Sequence, residues 1–165
     1  MEQHPQRIGA AGNQKDSVMS DVRPRLAIDV VAVWALIQTT RIAAIPLAQG
    51  VLTGSDPAAW LFPAFGDIFI GITAPFVAFA IWRRTGLAVW VTAIVWFALS
   101  ISDHLDALTT ALAGPLPINT PGFSSQSGTV AGFLVATALD VIALALLTRG
   151  KMKSHYFGSL RPAEQ

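Results

Sequence analysis

Cysteine is absent from the 165 residues. Disulfide frameworks, thiolate metal sites, iron–sulfur clusters and thiol redox chemistry are therefore excluded together. Charge is also scarce, at 13% Asp, Glu, Lys and Arg against about a quarter in an ordinary soluble domain. The 11 basic and 10 acidic residues leave a formal net charge of +1, which removes the strongly basic surface expected of a nucleic-acid binder. No Ser-His-Asp set, glycine-rich phosphate loop or dinucleotide fingerprint is readable, because the glycines fall in loops or in apolar stripes. What fills the chain instead is hydrophobic side chain, 53% of the total.

The apolar residues are gathered into four blocks, about 26–50, 60–82, 87–112 and 129–148. Each is long enough to cross a hydrocarbon core of ~30 Å at ~1.5 Å per residue, and none alternates as a membrane β-strand would. The expected fold is all-α, a bundle of four transmembrane helices occupying residues 23–149, and lipid is the expected surrounding. Of the 11 basic residues, Arg7, Lys15, Arg23 and Arg25 precede the first block, Arg83 and Arg84 separate the second from the third, and Arg149, Lys151, Lys153 and Arg161 follow the fourth. The connections 53–58 and 113–128 contain neither Lys nor Arg. Ten of the eleven thus fall on one side. The positive-inside bias predicts a multi-pass inner-membrane protein with both termini cytoplasmic. Trp60, Trp82 and Trp90 sit where an interfacial aromatic belt is expected.

Residues 1–22 lack an apolar face and are expected to be a flexible cytoplasmic leader, with Met19 an alternative start. Residues 150–165 are expected to be a cytoplasmic tail whose Arg149, Lys151 and Lys153 set orientation or touch anionic lipid. The turn-rich connection beginning at Gly114 reads either as a solvated connector or as a cap over the mouth of a cavity. Asp29 and Asp56, each near a block end, are expected at the interface.

Arg41, Asp67, Asp103 and Asp140 lie inside the blocks. A charge at the centre of a bilayer costs roughly 2.5–3.5 kcal/mol on insertion scales, so these four must face the bundle interior, water or one another. Counting along ideal helices puts Arg41 about 22 Å from the cytoplasmic edge, Asp103 about 24 Å from it and Asp67 about 10 Å from the outer edge. These three share one layer in the outer half, with His104 and Asp106 slightly further out and Asp140 nearer the middle. Asp67, Gly71, Ala74 and Ala78 form one helical stripe; Gly132, Ala136, Asp140 and Ala143 form another. Small residues let membrane helices approach closely. Trp34, Gln38 and Arg41 share a third face, and Trp96, Asp103 and Thr110 a fourth.

Arg41, Asp67, Asp103, Asp106 and Asp140 are accordingly the candidate binding or proton-handling residues. The planar guanidinium of Arg41 suits a carboxylate, Asp67 first and Asp103 second. Such a pair either locks helix register or belongs to a working site. One arginine against three inserted aspartates leaves carboxylates over. Asp140, without a cationic partner in the blocks, is the one expected to be protonated or to bind a cation. His104 points about 100° from Asp103, so Asp103, His104 and Asp106 make no metal set, and no metal or cofactor is expected. His4 and His155 are expected to be solvated. Trp34 and Arg41 repeat the seven-residue spacing of Trp96 and Asp103, a trace of the parallel repeats that some transporters have.

Phe65, Gly66, Asp67 through Gly71, the Arg83-Arg84 connection, and Trp96 through Asp106 to Thr109 resemble a group of uncharacterised small bacterial four-span membrane proteins. That group has Gly-Asp early in the second span, Trp and Asp late in the third, and then a Gly-Pro connection, here Gly114 and Pro115. The resemblance covers residues 60–118. The chain departs from it in the fourth span, where prolines and a terminal histidine would stand and Asp140 is found. It implies a bacterial inner-membrane location and no particular activity. Three roles stay open: an accessory or assembly factor, first; a small proton- or solute-coupled transporter; and an intramembrane enzyme. Transport through four helices would favour a homo-oligomer.

Overall fold

The computed structural model describes residues 13–118, 120, 123 and 125–158, and for 13–24 the backbone alone. All regular structure among them is helical: α1 (Asn13–Ile37), a 3-10 stretch (Gln38–Ala44), α2 (Ile45–Thr53), a 3-10 turn (Ala58–Trp60), α3 (Leu61–Arg83), α4 (Leu87–Ala113), α5 (Gln126–Thr148) and α6 (Gly150–Phe157). Four segments are long and apolar enough to cross a membrane, namely Arg25–Thr53, Ala58–Arg83, Leu87–Ala113 and Gln126–Thr148. Large apolar side chains such as Leu52, Phe62, Phe76 and Val135 point away from the bundle, as lipid-facing residues do. This is the make-up of a membrane-embedded protein.

The four spans form a ring in which each neighbours the next: first span, α3, α4, α5 and back to the first. The first span lies closest to α3 along α1 and the 3-10 stretch, and α4 lies closest to α5, whereas the side between α1 and α5 is the most open. Arg25, Arg83, Arg84, Arg149, Lys151 and Lys153 are all exposed at the end where the chain begins and finishes its spans, here the termini end. The opposite, loop end carries the connections 54–57 and 114–125.

Backbone chemistry breaks the first span. Pro46 has no N–H for the carbonyl of Ile42 and its ring crowds that group, so a continuous α-helix cannot run through it. Ile45 N–H bonds instead to Ile42 O, in 3-10 fashion, and Pro46 then sits in the first turn of the new helix α2, where proline is favoured. Thr40 Oγ1 donates to Ile37 O at 2.9 Å, competing with regular helix bonding at the start of the stretch. At three residues per turn, positions i and i+3 eclipse. Gln38, Arg41 and Ala44 therefore line up on one edge facing inward, with Gln38 and Ala44 buried.

Two apolar clusters bracket that edge. Near the termini, Val31, Ala35, Ala74, Phe97 and Leu147 pack with Tyr156. Near the loops, Leu47, Trp60, Ala64 and Ala107 pack, with Phe123 and Phe133 against them. Gly71 lets the 3-10 stretch close on α3, because a Cβ there would meet Ile42 N at 2.7 Å and Ile42 Cγ1 at 2.9 Å.

Several expectations need correction. The leader 1–22 is helical from Asn13 onward, since extending an established helix costs far less than starting one; residues 1–12, His4 among them, lie outside the described residues. The tail is no mere extension: α6 folds under the bundle, burying Met152 and Tyr156, with the Tyr156 hydroxyl donating to Ile81 O at 3.1 Å. Trp60, at the start of its span, is buried, its indole donating to Pro115 O at 2.9 Å. Asp56 is buried as well and accepts from Ile118 N–H at 2.9 Å. Asp29 is exposed and accepts from Trp82 Nε1 at 2.8 Å. Of the long connection, Phe123 packs edge-on against Trp60 with ring centroids 4.9 Å apart, as the cap alternative expects of that residue.

Candidate functional site

Between the two clusters lies one continuous set of polar side chains. Arg41, held inward by the 3-10 winding, is its hub. Its Nε donates to Asp67 Oδ1 at 2.5 Å, its Nη2 pairs with Asp103 Oδ2, and its Nη1 donates to Ser100 Oγ at 2.7 Å. Gln38 Oε1, one 3-10 turn back, lies 3.4 Å from the same Nη1. The guanidinium thus joins both carboxylates; the expectation of one or the other is replaced by a bridge. Gly66 makes room for it, since a Cβ there would collide with the Asp103 carboxylate. The side chains of Arg41, Asp67 and Asp103 are 8%, 19% and 12% exposed, and a buried pair of this kind needs several hydrogen bonds to offset its desolvation.

The second part of the set converges on Asp140 in α5, which is fully buried. Its Oδ1 accepts from Trp34 Nε1 at 2.7 Å and from Gln38 Nε2 at 2.6 Å. Its Oδ2 accepts from Ser100 Oγ at 2.7 Å and lies 3.0 Å from His104 Nδ1. As expected from the sequence, no Arg or Lys among the described residues pairs with Asp140, but four side chains, from the first span and α4, reach it. Ser100 and Gln38 each touch both Arg41 and Asp140, so the two carboxylate centres form one network. The two oxygens of Asp140 differ chemically. Oδ1 faces an indole N–H and an amide N–H, which only donate, whereas Oδ2 faces a hydroxyl and an imidazole nitrogen, either of which can also accept.

Asp106 does not join this network. It is exposed beside Asp103, and makes no hydrogen bond to a described residue; with Phe62, Gly66, Phe69, Ser102 and Asp103 it lines a cavity of about 390 Å³ on the outer face between α3 and α4. Sequence reasoning missed Ser100, Trp34 as a donor to Asp140, and His104. The 100° that turns His104 away from Asp103 is what aims it at α5.

Two further cavities lie along the open side between the first span and α5. One, about 350 Å³, sits toward the loop end and is lined by Arg41, Asp67, His104, Phe123, Gly132 and Phe133 among others. The other, also about 350 Å³, sits toward the termini end and is lined by Val33, Trp34, Ile37, Leu139, Ala143 and Leu146 among others. Along the first span the second lining ends at Ile37 and the first begins at Thr40; Gln38, which stands between them, and Trp34, at the edge of the second, both donate to Asp140. The small-residue stripe of α5 is therefore not a packing seam along its whole length: Ala143 is buried, but a Cβ built on Gly132 meets nothing within 4 Å. Gly132 opens the cavity.

Among the described residues no group of three or more His, Cys, Asp or Glu could hold a metal ion. In comparisons with protein families, with curated proteins and with solved structures, the chain matches none. The site itself carries the functional reading.

Proposed function

We propose that the chain is a small solute carrier of a bacterial inner membrane, with both termini on the cytoplasmic side, in which Asp140 is a proton-sensitive latch. The observation that carries this reading is the pair of cavities stacked along one side of the bundle, with Gln38 standing between their linings on the first span and donating, as Trp34 does, to Asp140. An accessory or assembly role needs no such pair. Hydrogen bonds to an ionised carboxylate are roughly twice as strong as neutral ones. Protonation at Oδ2 removes the charge and turns that oxygen into a donor toward Ser100 or His104, so the two bonds to Oδ1 weaken together. The first span and α5 then part, and the two cavities become one.

The test uses the absence of native cysteine. Ala143 is buried and lines the termini-end cavity; as Ala143→Cys in proteoliposomes it is challenged with a membrane-impermeant maleimide from the loop side. Labelling should rise severalfold between about pH 8 and about pH 5, and Asp140→Asn should make it high at both. Labelling that ignores both pH and Asp140→Asn rejects the latch. Sidedness is read separately: Ser55→Cys should label from outside intact cells and Ser154→Cys should not, as expected when basic residues collect on the cytoplasmic side.

A further inference from the structure

We propose that the loop-end cavity is a binding site for a small lipophilic ammonium ion, which exchanges there against protons; this rests on the carrier reading and names its substrate class. Charge balance comes first. Arg41 is the one full positive charge in a network that also holds Asp67, Asp103 and Asp140, so the set carries −2 with His104 neutral and −1 with it protonated. In a setting of low dielectric such an excess calls for protons or a cation.

The lining selects the kind of cation. Asp67 Oδ1 is engaged by Arg41, while its Oδ2 takes no hydrogen bond from a described residue, and Asp67 lines the cavity. Across from it, the rings of Phe123 and Phe133 meet at 49° with centroids 6.5 Å apart, a corner whose π faces attract a poorly hydrated cation. The Thr120 hydroxyl lines the same space and is buried without a partner, so its oxygen dipole can turn toward a cation. An inorganic cation would need several oxygen ligands to replace its water, and this wall is largely carbon. An anion fares worse. Every nitrogen of Arg41 is already engaged, and an anion would enter against Asp67. A volume near 350 Å³ lies at the small end of the ~300–1,000 Å³ range for small-molecule pockets. The exposed Thr40, Ala43 and Gly132 leave its flank open to the surroundings of the bundle.

The charged and titratable groups facing Asp67 are Arg41 from the first span and Asp103 and His104 from α4. Asp140 lies behind them on α5, and the described residues of the capping connection contribute no charge to the cavity. An arriving ammonium therefore replaces a proton held by this set, and its affinity rises with pH.

The experiment uses the full chain in detergent and benzyltrimethylammonium as the probe, with neopentylbenzene, its neutral carbon isostere, and benzenesulfonate as comparisons. Calorimetry should show saturable binding of the ammonium alone, several times tighter at about pH 8 than at about pH 6, with protons released in weak buffer. Asp67→Asn should weaken it at least tenfold. Should Asp67→Asn not fold, Gly132→Leu supplies the same test, because its side chain grows into open space and fills the cavity; the folded variant should lose binding. Equal binding of the sulfonate or the neutral isostere overturns the ammonium assignment, and so does unchanged binding by folded Gly132→Leu. If no probe binds while Ala143→Cys still labels with pH, the substrate class alone is wrong. If both responses are missing, the carrier reading falls with it.

Discussion

The first span has two unlike sides. Toward α3 it closes until backbone meets Gly71, and Arg41 ties it there to Asp67. Toward α5 it leaves two cavities of about 350 Å³ each and is fastened by hydrogen bonds to one carboxylate. In lipid, helices associate through close packing and hydrogen bonds rather than through burial from water. The α3 side uses both means, and the α5 side chiefly the second. The first span and α3 thus form one unit, and α5, which lies closest to α4, belongs to another. The open side is where the two can separate.

The largest expected effect comes from unfastening the tight side. Arg41→Gln leaves Asp67 and Asp103 facing each other without a cation and should cost about 3–5 kcal/mol in detergent unfolding, partly recovered by adding Asp103→Asn. Simple additivity of the two would show that the bridge is not what holds this side. Next comes packing on the same side: Gly71→Ala puts a methyl against Ile42 backbone and should cost about 1–3 kcal/mol.

The open side is clasped at the termini end by α6, which touches α1, α4 and α5. Burial pushes the Tyr156 hydroxyl there from 10.0 up to about 12. The folded state favours the neutral phenol, so its contribution is fully present below pH 10.0 and is lost as pH rises toward about 12. The loss should be on the order of 1–2 kcal/mol and absent in Tyr156→Phe. Because Tyr156 is the only tyrosine, phenolate absorbance follows it directly. The smallest effect tests the open side itself: Gly132→Ala meets nothing and lies inside α5, so it should cost nothing and gain up to about 1 kcal/mol from helix propensity. A cost matching that of Gly71→Ala would erase the contrast between the sides.

Much of this was legible in the residues. The four apolar helices follow from block length, and the meeting of Arg41 with Asp67 and Asp103 follows from counting depth along ideal helices. The rest depends on features that a one-dimensional reading leaves ambiguous. A stripe of small residues reads alike whether a neighbour fills it, as at Gly71, or leaves it open, as at Gly132. The rotation of Gln38 and Arg41 onto one edge comes from the 3-10 winding before Pro46. An α-helix would keep the two on one face but leave them about 60° apart rather than eclipsed. Ser100 and Trp34 sit in apolar runs, where a hydroxyl or an indole gives no hint of its partner. The contact of His104 with Asp140 went unseen because its direction was judged against Asp103 on its own helix and not against α5.

The 3-10 stretch also sets a length. Seven residues rise about 14 Å in that form and about 10.5 Å as α-helix, a difference of about 3.5 Å. They also turn about 140° further, so rewinding would act as a screw, drawing α2 inward and rotating it away from its contacts. Arg41, pinned to α3 and α4 from the middle of the stretch, is the pin that keeps the screw extended.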